Sequence, residues 1–242
     1  MIEAVFISDL HLHPKEHAIL DRFNQFIQWA AINTKSVYIL GDFFYAWPGD
    51  DAIDPWSESI AQQLSWLSLQ GVKLFFLHGN RDFLIGERFA QLASLTILSE
   101  PTVIRLGGVK VLLVHGDRYC TKDKSHQWLR RLTRNSMFPA LFLRISCKIR
   151  AKIVNDVREH SQANRSKSAL YMDVVVPVML DHMQKLQVNI LVHGHTHKPG
   201  LTTHRRDNET YHQYVLSDWD DNPSLMCYDD TKGFNFVLLS EK

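Results

Sequence analysis

The chain has 242 residues, of which 45% are hydrophobic and 22% are charged, and its formal net charge is +1. These values are ordinary for a folded domain and exclude collagen-like, disordered and disulfide-scaffold chains. No apolar run approaches the roughly 20 residues that a membrane-spanning helix needs. The first residues lack a leader pattern and the three cysteines are scattered, so we expect a reducing, cytoplasmic compartment.

The small net charge hides a strong asymmetry along the chain. Residues 118–167 carry 13 basic and 3 acidic side chains, whereas the rest of the chain carries 14 basic and 23 acidic ones. The resulting charge of +10 in that segment favours an anionic partner. We find no nucleic-acid recognition motif, so we do not expect nucleic acid to be that partner.

The first half of the chain alternates apolar strand segments with amphipathic helices. Strands are predicted at residues 4–8, 37–40 and 73–77. Helices are predicted between them, at residues 18–31 and 55–69. Two further strands, 102–106 and 110–114, are joined by two glycines and predict a β-hairpin. This alternation indicates an α/β fold.

The second half begins with a helical pattern and then returns to strands. The returning strands are predicted at residues 189–192, 211–217, 225–229 and 234–239. Because strands flank the helical pattern, we interpret residues 1–242 as one domain with a helical insertion at 120–186. We expect this insertion to form a lid that binds substrate.

Helical spacing within the insertion predicts one apolar face, made by Phe138, Phe142, Ile145, Ile149 and Ile153. A second face is basic and carries Arg144, Lys148 and Lys152. One interpretation is a helix packed on the body of the protein with a solvated basic side. The apolar content exceeds what one packing face needs, which favours a membrane-surface contact or a lipid-lined cap.

Metal-capable side chains follow five of the predicted strands. They are Asp9 and His11, Asp42, Asn80, His115, and His195 with His197. Ligands collect at the carboxyl ends of strands in α/β proteins, because side chains from separate strands converge there. Seven donors exceed the needs of one ion, and a carboxylate such as Asp42 can bridge two. The mixed nitrogen and oxygen donors favour Mn, Fe or Zn, and paired ions are a common device for phosphoester hydrolysis.

The order of these blocks resembles that of the calcineurin-like metallophosphoesterase family. The blocks are Asp-x-His at 9–11, Gly-Asp at 41–42, Gly-Asn-Arg-Asp at 79–82, His115, and Gly-His-Thr-His at 194–197. The resemblance implies a four-layered α/β/β/α sandwich and two metal ions. It implies that one ion is held by Asp9, His11, Asp42 and His197. It implies that the other is held by Asp42, Asn80, His115 and His195.

Arg81 stands where many members of that family carry a histidine that serves as general acid. A guanidinium does not release its proton near neutral pH, but it can stabilise charge on a phosphoryl group. A leaving group that is itself a phosphate needs little protonation. Arg81 therefore predicts a pyrophosphate bond as the target.

Arg81 and the helical insertion together resemble a narrower group, the UDP-2,3-diacylglucosamine pyrophosphohydrolases of lipid A biosynthesis. The matching stretches are 38–42, 78–84, 115–117, 163–168 and 193–197. The resemblance implies water attack on the α-phosphate, which releases UMP and 2,3-diacylglucosamine 1-phosphate. It also implies two Mn²⁺ ions and peripheral attachment to the cytoplasmic face of the bacterial inner membrane.

The same resemblance implies roles for individual residues. Its catalytic residues correspond here to Asn80, Arg81 and His115. Its substrate contacts correspond to Asn80, Arg81, Asp123, Asn164, Lys167 and His195. The group also places a serine four residues before the asparagine; here that position is His160, and Ser161 follows it.

Two other functions remain open at this point. A soluble nucleotide or dinucleotide pyrophosphatase of the same superfamily would not need the apolar, basic insertion. A non-catalytic scaffold with this fold would be marked by the loss of ligands, and all seven are present.

We expect a monomer. We also expect His193 to be packed and hydrogen-bonded, and Asp82 and Asp117 to hydrogen-bond to ligand imidazoles.

Overall fold

The computed structural model describes residues 1–135, 137–163 and 173–239, without the side chains of residues 158–163. The helices are α1 (His17–Asn33), α2 (Pro55–Leu69), α3 (Glu87–Leu92), α4 (Lys124–Thr133), α5 (Met137–Phe142), α6 (Cys147–Ala163) and α7 (Val176–Leu186). The strands are β1 (Ala4–Ile7), β2 (Ser36–Ile39), β3 (Lys73–Leu77), β4 (Thr96–Leu98), β5 (Thr102–Leu106), β6 (Val109–Leu113), β7 (Ile190–His193), β8 (Gly200–Arg206), β9 (Glu209–Val215), β10 (Ser224–Asp229) and β11 (Gly233–Leu238).

The strands form two sheets. The first has six strands in the order β11-β10-β1-β2-β3-β4, and β1 to β4 run parallel to one another. The second has five strands in the order β5-β6-β7-β9-β8, with β6, β7 and β9 parallel. Parallel strands place their carboxyl ends at the same edge, which is where the candidate ligands follow.

Alternation of side chains along the strands builds the layers. In β1, Val5 and Ile7 pack with helices α1 and α2, whereas Ala4 and Phe6 pack against the second sheet. The far face of the second sheet is covered by α7, whose Met179 packs in a third cluster with strand residues of β6 and β7. The layers are therefore helix, sheet, sheet and helix, and the predicted α/β/β/α sandwich is confirmed.

Three elements were not predicted, namely α3, β4 and β8. Helix α3 has six residues and β4 has three, so neither is long enough to show a period. Strand β8 lies at the edge of its sheet and is largely exposed, so it carries little apolar alternation. These misses reflect short or solvated elements, for which hydrophobic periodicity is a weak signal.

The single apolar helix face predicted across residues 138–153 is wrong. The chain leaves the helical conformation between α5 and α6, so Phe142 and Ile149 belong to different helices. Phe142 packs against the core between α1, α2 and the first sheet, whereas Ile149 is 55% exposed. In the described part of the chain, no helix combines the length and the hydropathy that crossing a bilayer requires.

Arg150 anchors the start of α6 to the body of the protein. Its side chain is only 1% exposed, although its neighbours Ile149 and Ile153 face outward. The guanidinium donates hydrogen bonds to the carbonyl oxygens of Pro48 (2.9 Å), Leu143 (2.7 Å) and Ile145 (2.6 Å) and also pairs with Asp51. At these positions of α6 an arginine is buried and aliphatic side chains are exposed, which is the opposite of the pattern in an ordinary surface helix.

Replacement of Arg150 by methionine is expected to lower the free energy of unfolding by about 2–4 kcal/mol, because buried carbonyl groups lose their donors. Urea unfolding followed by circular dichroism measures this change. Arg144→Met, at an exposed arginine of the same segment, serves as the control and should be nearly neutral. Equal stability of the two variants would contradict the anchoring role.

Candidate metal centre

The candidate ligands lie at one edge of the sandwich. Asp9, Asp42 and Asn80 follow the parallel strands β1, β2 and β3 of the first sheet. His115 and His195 follow β6 and β7, which are parallel neighbours in the second sheet. The two sheets pack face to face, so the five loops converge.

The backbone of these loops is unusual. Nine non-glycine residues of the described chain have positive φ, and five of them are candidate ligands. They are Asp9 (56°), His11 (52°), Asp42 (52°), His195 (69°) and His197 (53°). Left-handed backbone at non-glycine residues is disfavoured and tends to cluster at functional sites, where the surrounding structure enforces it. The strain therefore marks the same loops that the sequence singled out.

Asp9 is held so that one carboxylate oxygen faces the histidines. Its Oδ2 accepts hydrogen bonds from Ser8 Oγ (2.6 Å) and from the backbone N–H of His195 (2.8 Å). Its Oδ1 is buried without a hydrogen-bond donor in the described chain, and Nε2 of His197 lies 3.5 Å from it. A Cβ at Gly194 would lie 2.2 Å from Oδ2, so only glycine permits this approach.

Two groups of side chains can each converge on a cation. In the first, one ligand atom from each of Asp9, His11 and His197 lies within 4.8 Å of the others. In the second, the same holds for Asp9, Asp42 and His115. The first group contains three of the four residues implied for one metal. The second group contains Asp42 and His115 from the other set, together with Asp9.

The ring of His115 is oriented so that its Nε2 faces side-chain oxygens of Asn80 and Asp42. Its Nδ1 lies 2.9 Å from the carbonyl oxygen of Leu40, which can only accept, so Nδ1 carries a proton. Its Nε2 then lies 2.9 Å from Oδ1 of Asn80 and 3.6 Å from Oδ1 of Asp42. The His195 ring packs edge-on against it, with ring centroids 5.1 Å apart. Nε2 of His115 and these two side-chain oxygens therefore face one another, as the ligands of a shared cation would.

The pKa shifts of His115 and Asp9 also indicate a site that attracts cations. Burial lowers the pKa of His115, but the carboxylates of Asp42, Asp9 and Asp117 outweigh it and raise the pKa to about 9. Burial acts to raise the pKa of Asp9, but the neighbouring imidazoles outweigh it and hold that pKa well below its usual range. The donor set therefore attracts cations, and its mixture of carboxylate, imidazole and carboxamide fits transition-metal ions such as Mn²⁺ or Zn²⁺.

Arg81 lies beside Asp42. Its backbone N–H donates to Oδ1 of Asp42 (3.0 Å), and its Nε lies 3.0 Å from Oδ2. Its Nη1 is buried and has no hydrogen-bond acceptor among the residues that the structure describes. The guanidinium can therefore give a further hydrogen bond to an anionic oxygen that enters the site.

The prediction that Asp82 hydrogen-bonds to a ligand imidazole is wrong. Its carboxylate accepts hydrogen bonds from the backbone N–H groups of Phe43 (2.7 Å) and Gly79 (2.8 Å), not from a ligand imidazole. Asp82 thus ties the loop of Asp42 to the loop of Asn80. Burial and the charge of Asp42 raise the pKa of Asp82 to about 6.

Asp82→Asn is expected to destabilise the fold by about 1–3 kcal/mol, because the amide NH₂ cannot accept one of the two backbone hydrogen bonds. Thermal unfolding followed by circular dichroism tests this prediction. The exposed Asp221 provides a matched control through Asp221→Asn. A melting temperature unchanged in both variants would contradict the role given to Asp82.

The other predicted substrate contacts are placed as follows. Asp123 is the N-cap of α4, where its Oδ1 accepts a hydrogen bond from the backbone N–H of His126 (3.0 Å). His195 lies beside His126, with ring centroids 5.4 Å apart. Asn164 and Lys167 lie outside the described residues, as do the side chains of His160 and Ser161.

His193 is packed and hydrogen-bonded, as predicted. Its Nδ1 donates to the carbonyl oxygen of Gly194 (2.8 Å), and its Nε2 accepts from Nε2 of Gln213 (2.9 Å). Burial lowers the pKa of His193 to about 4, so the ring is neutral at physiological pH. Both ring nitrogens are engaged, and His193 is therefore not a candidate ligand.

Two acidic residues near the site were missed. Oδ2 of Asp218 lies 3.3 Å from Nδ1 of His197 and can orient that imidazole toward Asp9. Oε1 of Glu100 accepts the backbone N–H of His115 (3.1 Å). Neither residue stands in a metal-ligand block of the sequence, so only spatial proximity identifies them.

Comparison with known proteins places this geometry in context. A family model described as calcineurin-like phosphoesterase matches residues 3–199. Proteins named UDP-2,3-diacylglucosamine hydrolase from Yersinia enterocolitica and Yersinia pestis are each 41% identical over 219 residues. The matches cover 90% of this chain and 91% of each relative. Among solved structures, a phosphoesterase from E. coli has a TM-score of 0.43 and 14% identity, covering 98% of this chain and 99% of that one. That last likeness is too distant to carry an argument.

Proposed function

Because this chain belongs to the calcineurin-like phosphoesterase family, we propose that it hydrolyses the pyrophosphate bond of UDP-2,3-diacylglucosamine. The products are UMP and 2,3-diacylglucosamine 1-phosphate. The identity of 41% to hydrolases named for this substrate, over nearly the whole length of both chains, supports the assignment. The reaction belongs to lipid A biosynthesis.

The observation that carries the proposal is the position of Arg81. Its guanidinium lies beside Asp42, and its buried Nη1 lacks an acceptor within the described ranges. A phosphate oxygen of the substrate supplies that acceptor. Since a guanidinium stabilises charge but does not protonate a leaving group, the site suits a leaving group that is itself a phosphate.

Seven side chains hold the metal ions in this proposal. Asp9, His11, Asp42 and His197 would bind one ion, and Asp42, Asn80, His115 and His195 would bind the other. We take both ions to be Mn²⁺. When bound, such a pair polarises phosphoryl oxygens and lowers the pKa of the attacking water. The chain's own contribution is orientation: Leu40 fixes the tautomer of His115, and Ser8 fixes the carboxylate of Asp9.

Helices α4, α5 and α6, which precede α7 in the segment between β6 and β7, are proposed to cover the substrate. Asp123, Asn164 and Lys167 would bind its polar part. The acyl chains would contact the exposed apolar residues of this segment, which are Trp128, Leu132, Met137, Leu141, Leu143, Ile145, Ile149, Ile153 and Val157. Single exposed apolar side chains are ordinary on a protein surface, but so many within one segment favour a bound partner.

The proposal is tested by measuring UMP release from UDP-2,3-diacylglucosamine, from its non-acylated analogue and from dinucleotide polyphosphates, with Mn²⁺ present. Burial of only two methylene groups of the acyl chains contributes about 1.6 kcal/mol, so kcat/KM should favour the acylated substrate by more than about tenfold. Equal values for the acylated and non-acylated substrates would overturn the lipid assignment. Faster hydrolysis of dinucleotide polyphosphates would instead identify a soluble nucleotide pyrophosphatase.

We further propose that the same exposed apolar residues, together with the basic residues of this segment, attach the protein to the cytoplasmic face of the inner membrane as a monomer. Co-sedimentation with anionic vesicles tests the attachment, which salt should weaken. Trp128→Ser is expected to reduce vesicle binding, since Trp128 is 66% exposed on α4. Trp66→Ser, at an exposed tryptophan on α2, is the matched control. Equal binding by both variants would contradict the proposed membrane face.

A further inference from the structure

Glu100 joins helix α4 to the loop that carries His115. Its side chain is 5% exposed, and its Oε1 accepts the backbone N–H of His115 at 3.1 Å. Its Oε2 accepts a hydrogen bond from Nη2 of Arg130 on α4 at 3.0 Å. Nη2 of Arg134 lies 3.6 Å from the same oxygen. One carboxylate thus contacts both the metal-ligand loop and the helix.

Three more contacts, made by Arg130 and Arg134, hold α4 against the ligand loops. Nε of Arg130 lies 3.1 Å from Oδ2 of the fully buried Asp117, two residues beyond His115. Arg134 donates to the carbonyl oxygens of His78 (2.9 Å) and Gly79 (3.0 Å), just before Asn80. The arginines stand four residues apart, so one side of the helix reaches both loops.

We infer that Glu100 and Arg130 are positioning residues that couple helix α4 to the Asn80 and His115 end of the metal centre. Removal of Arg130 takes a positively charged partner away from the buried carboxylates of Glu100 and Asp117. Buried carboxylates that lose such a partner move or recruit water. Because Glu100 holds the backbone of His115, its displacement shifts that ligand. Changes in groups that orient metal ligands typically weaken metal affinity or activity by about 10–100-fold.

The coupling is reciprocal, as any linkage between two binding events must be. Metal binding that fixes the His115 loop also stabilises α4, which carries Asp123 at its N-terminus. Binding of substrate under the helix in turn strengthens metal binding. This inference rests on the proposed dinuclear site, but not on the identity of the substrate.

The test uses the full-length chain freed of metal and titrated with Mn²⁺ by isothermal titration calorimetry. Arg130→Gln is expected to bind Mn²⁺ about tenfold more weakly than the wild type. Arg131→Gln changes the neighbouring exposed arginine of the same helix and should bind within twofold of the wild type. In hydrogen exchange, Mn²⁺ should slow the amides of 124–133 in the wild type and in Arg131→Gln, but much less in Arg130→Gln.

Glu100→Gln provides a second variant that retains the shape of the side chain and its acceptor for His115. It should weaken Mn²⁺ binding by about threefold. The double variant with Arg130→Gln should lose less affinity than the product of the two single effects, because both changes remove the shared contact between Arg130 and Glu100. If Arg130→Gln and Glu100→Gln lose thermal stability but bind Mn²⁺ like the wild type, the role is merely structural and the inference is overturned. A wild-type chain that binds no Mn²⁺ would overturn the dinuclear site as well. Failure of the UMP assay alone would leave this result intact.

Discussion

Asp42→Asn is expected to lower kcat for UMP release by roughly 10³-fold. Asp42 is the residue proposed to bridge both metal ions, and an amide is a weaker and neutral ligand. Loss of about 4 kcal/mol of transition-state stabilisation corresponds to that factor. A continuous assay of UMP formation at saturating Mn²⁺ measures kcat, and metal analysis of the purified variant should find fewer than two ions per chain.

Asp221→Asn controls for a carboxylate-to-amide change on the surface and should retain wild-type activity. His115→Ala gives an independent test, because it removes a ligand of the second proposed ion and leaves Asp42, the proposed bridging residue, unchanged. Full activity of either Asp42→Asn or His115→Ala would rule out the dinuclear mechanism.

Arg81→Lys is expected to reduce kcat by about 10²-fold, which is the usual effect of removing one preorganised donor that faces developing charge. Lysine keeps the positive charge but lacks the planar guanidinium. In Arg81 that group contacts Asp42 through Nε while its Nη1 remains available to the substrate. Steady-state kinetics should show a larger change in kcat than in KM. Arg105→Lys, at an exposed arginine on β5, should leave both parameters unchanged.

Arg81→His separates charge stabilisation from proton donation. A histidine can act as general acid, so this variant should lose activity on the pyrophosphate substrate but gain relative activity on a phosphodiester with an alkoxide leaving group. Unchanged preference between the two substrates would contradict the argument that Arg81 specifies a phosphate leaving group.

Local sequence patterns predicted the α/β class and most of its elements, whereas the four-layered sandwich was an expectation from the family resemblance. Residues 4–7 form a continuous apolar run, which indicates a strand buried on both faces, and the structure packs Val5 and Ile7 on one side and Ala4 and Phe6 on the other. The polar residues that follow β1, β2, β3, β6 and β7 could be placed at one edge, since parallel strands end together. The same reasoning failed for α5 and α6, where apolar spacing continued across a break in the helix.

The partners of the site residues could not be read from the sequence. Asp82 contacts the backbone of Phe43, which lies 39 positions away, and Glu100 reaches Arg130 on an approaching helix. Arg150 carries no sequence sign of burial, because the carbonyl oxygens that it contacts belong to Pro48, Leu143 and Ile145, which lie outside the helices and strands. Such contacts depend on how elements pack, and no local pattern encodes them.

By itself, the sequence determined the fold class, the set of candidate metal ligands and the substitution of arginine at position 81. Those features follow from residue type and short-range spacing, which act before the chain is folded. Only the tertiary structure decided which oxygen of Asp9 faces the histidines, that Arg81 lies against Asp42, and that Glu100 ties helix α4 to His115. The physical reason is that hydrogen bonds and ion pairs act over a few ångströms, so their partners are chosen only after the sheets and helices have packed.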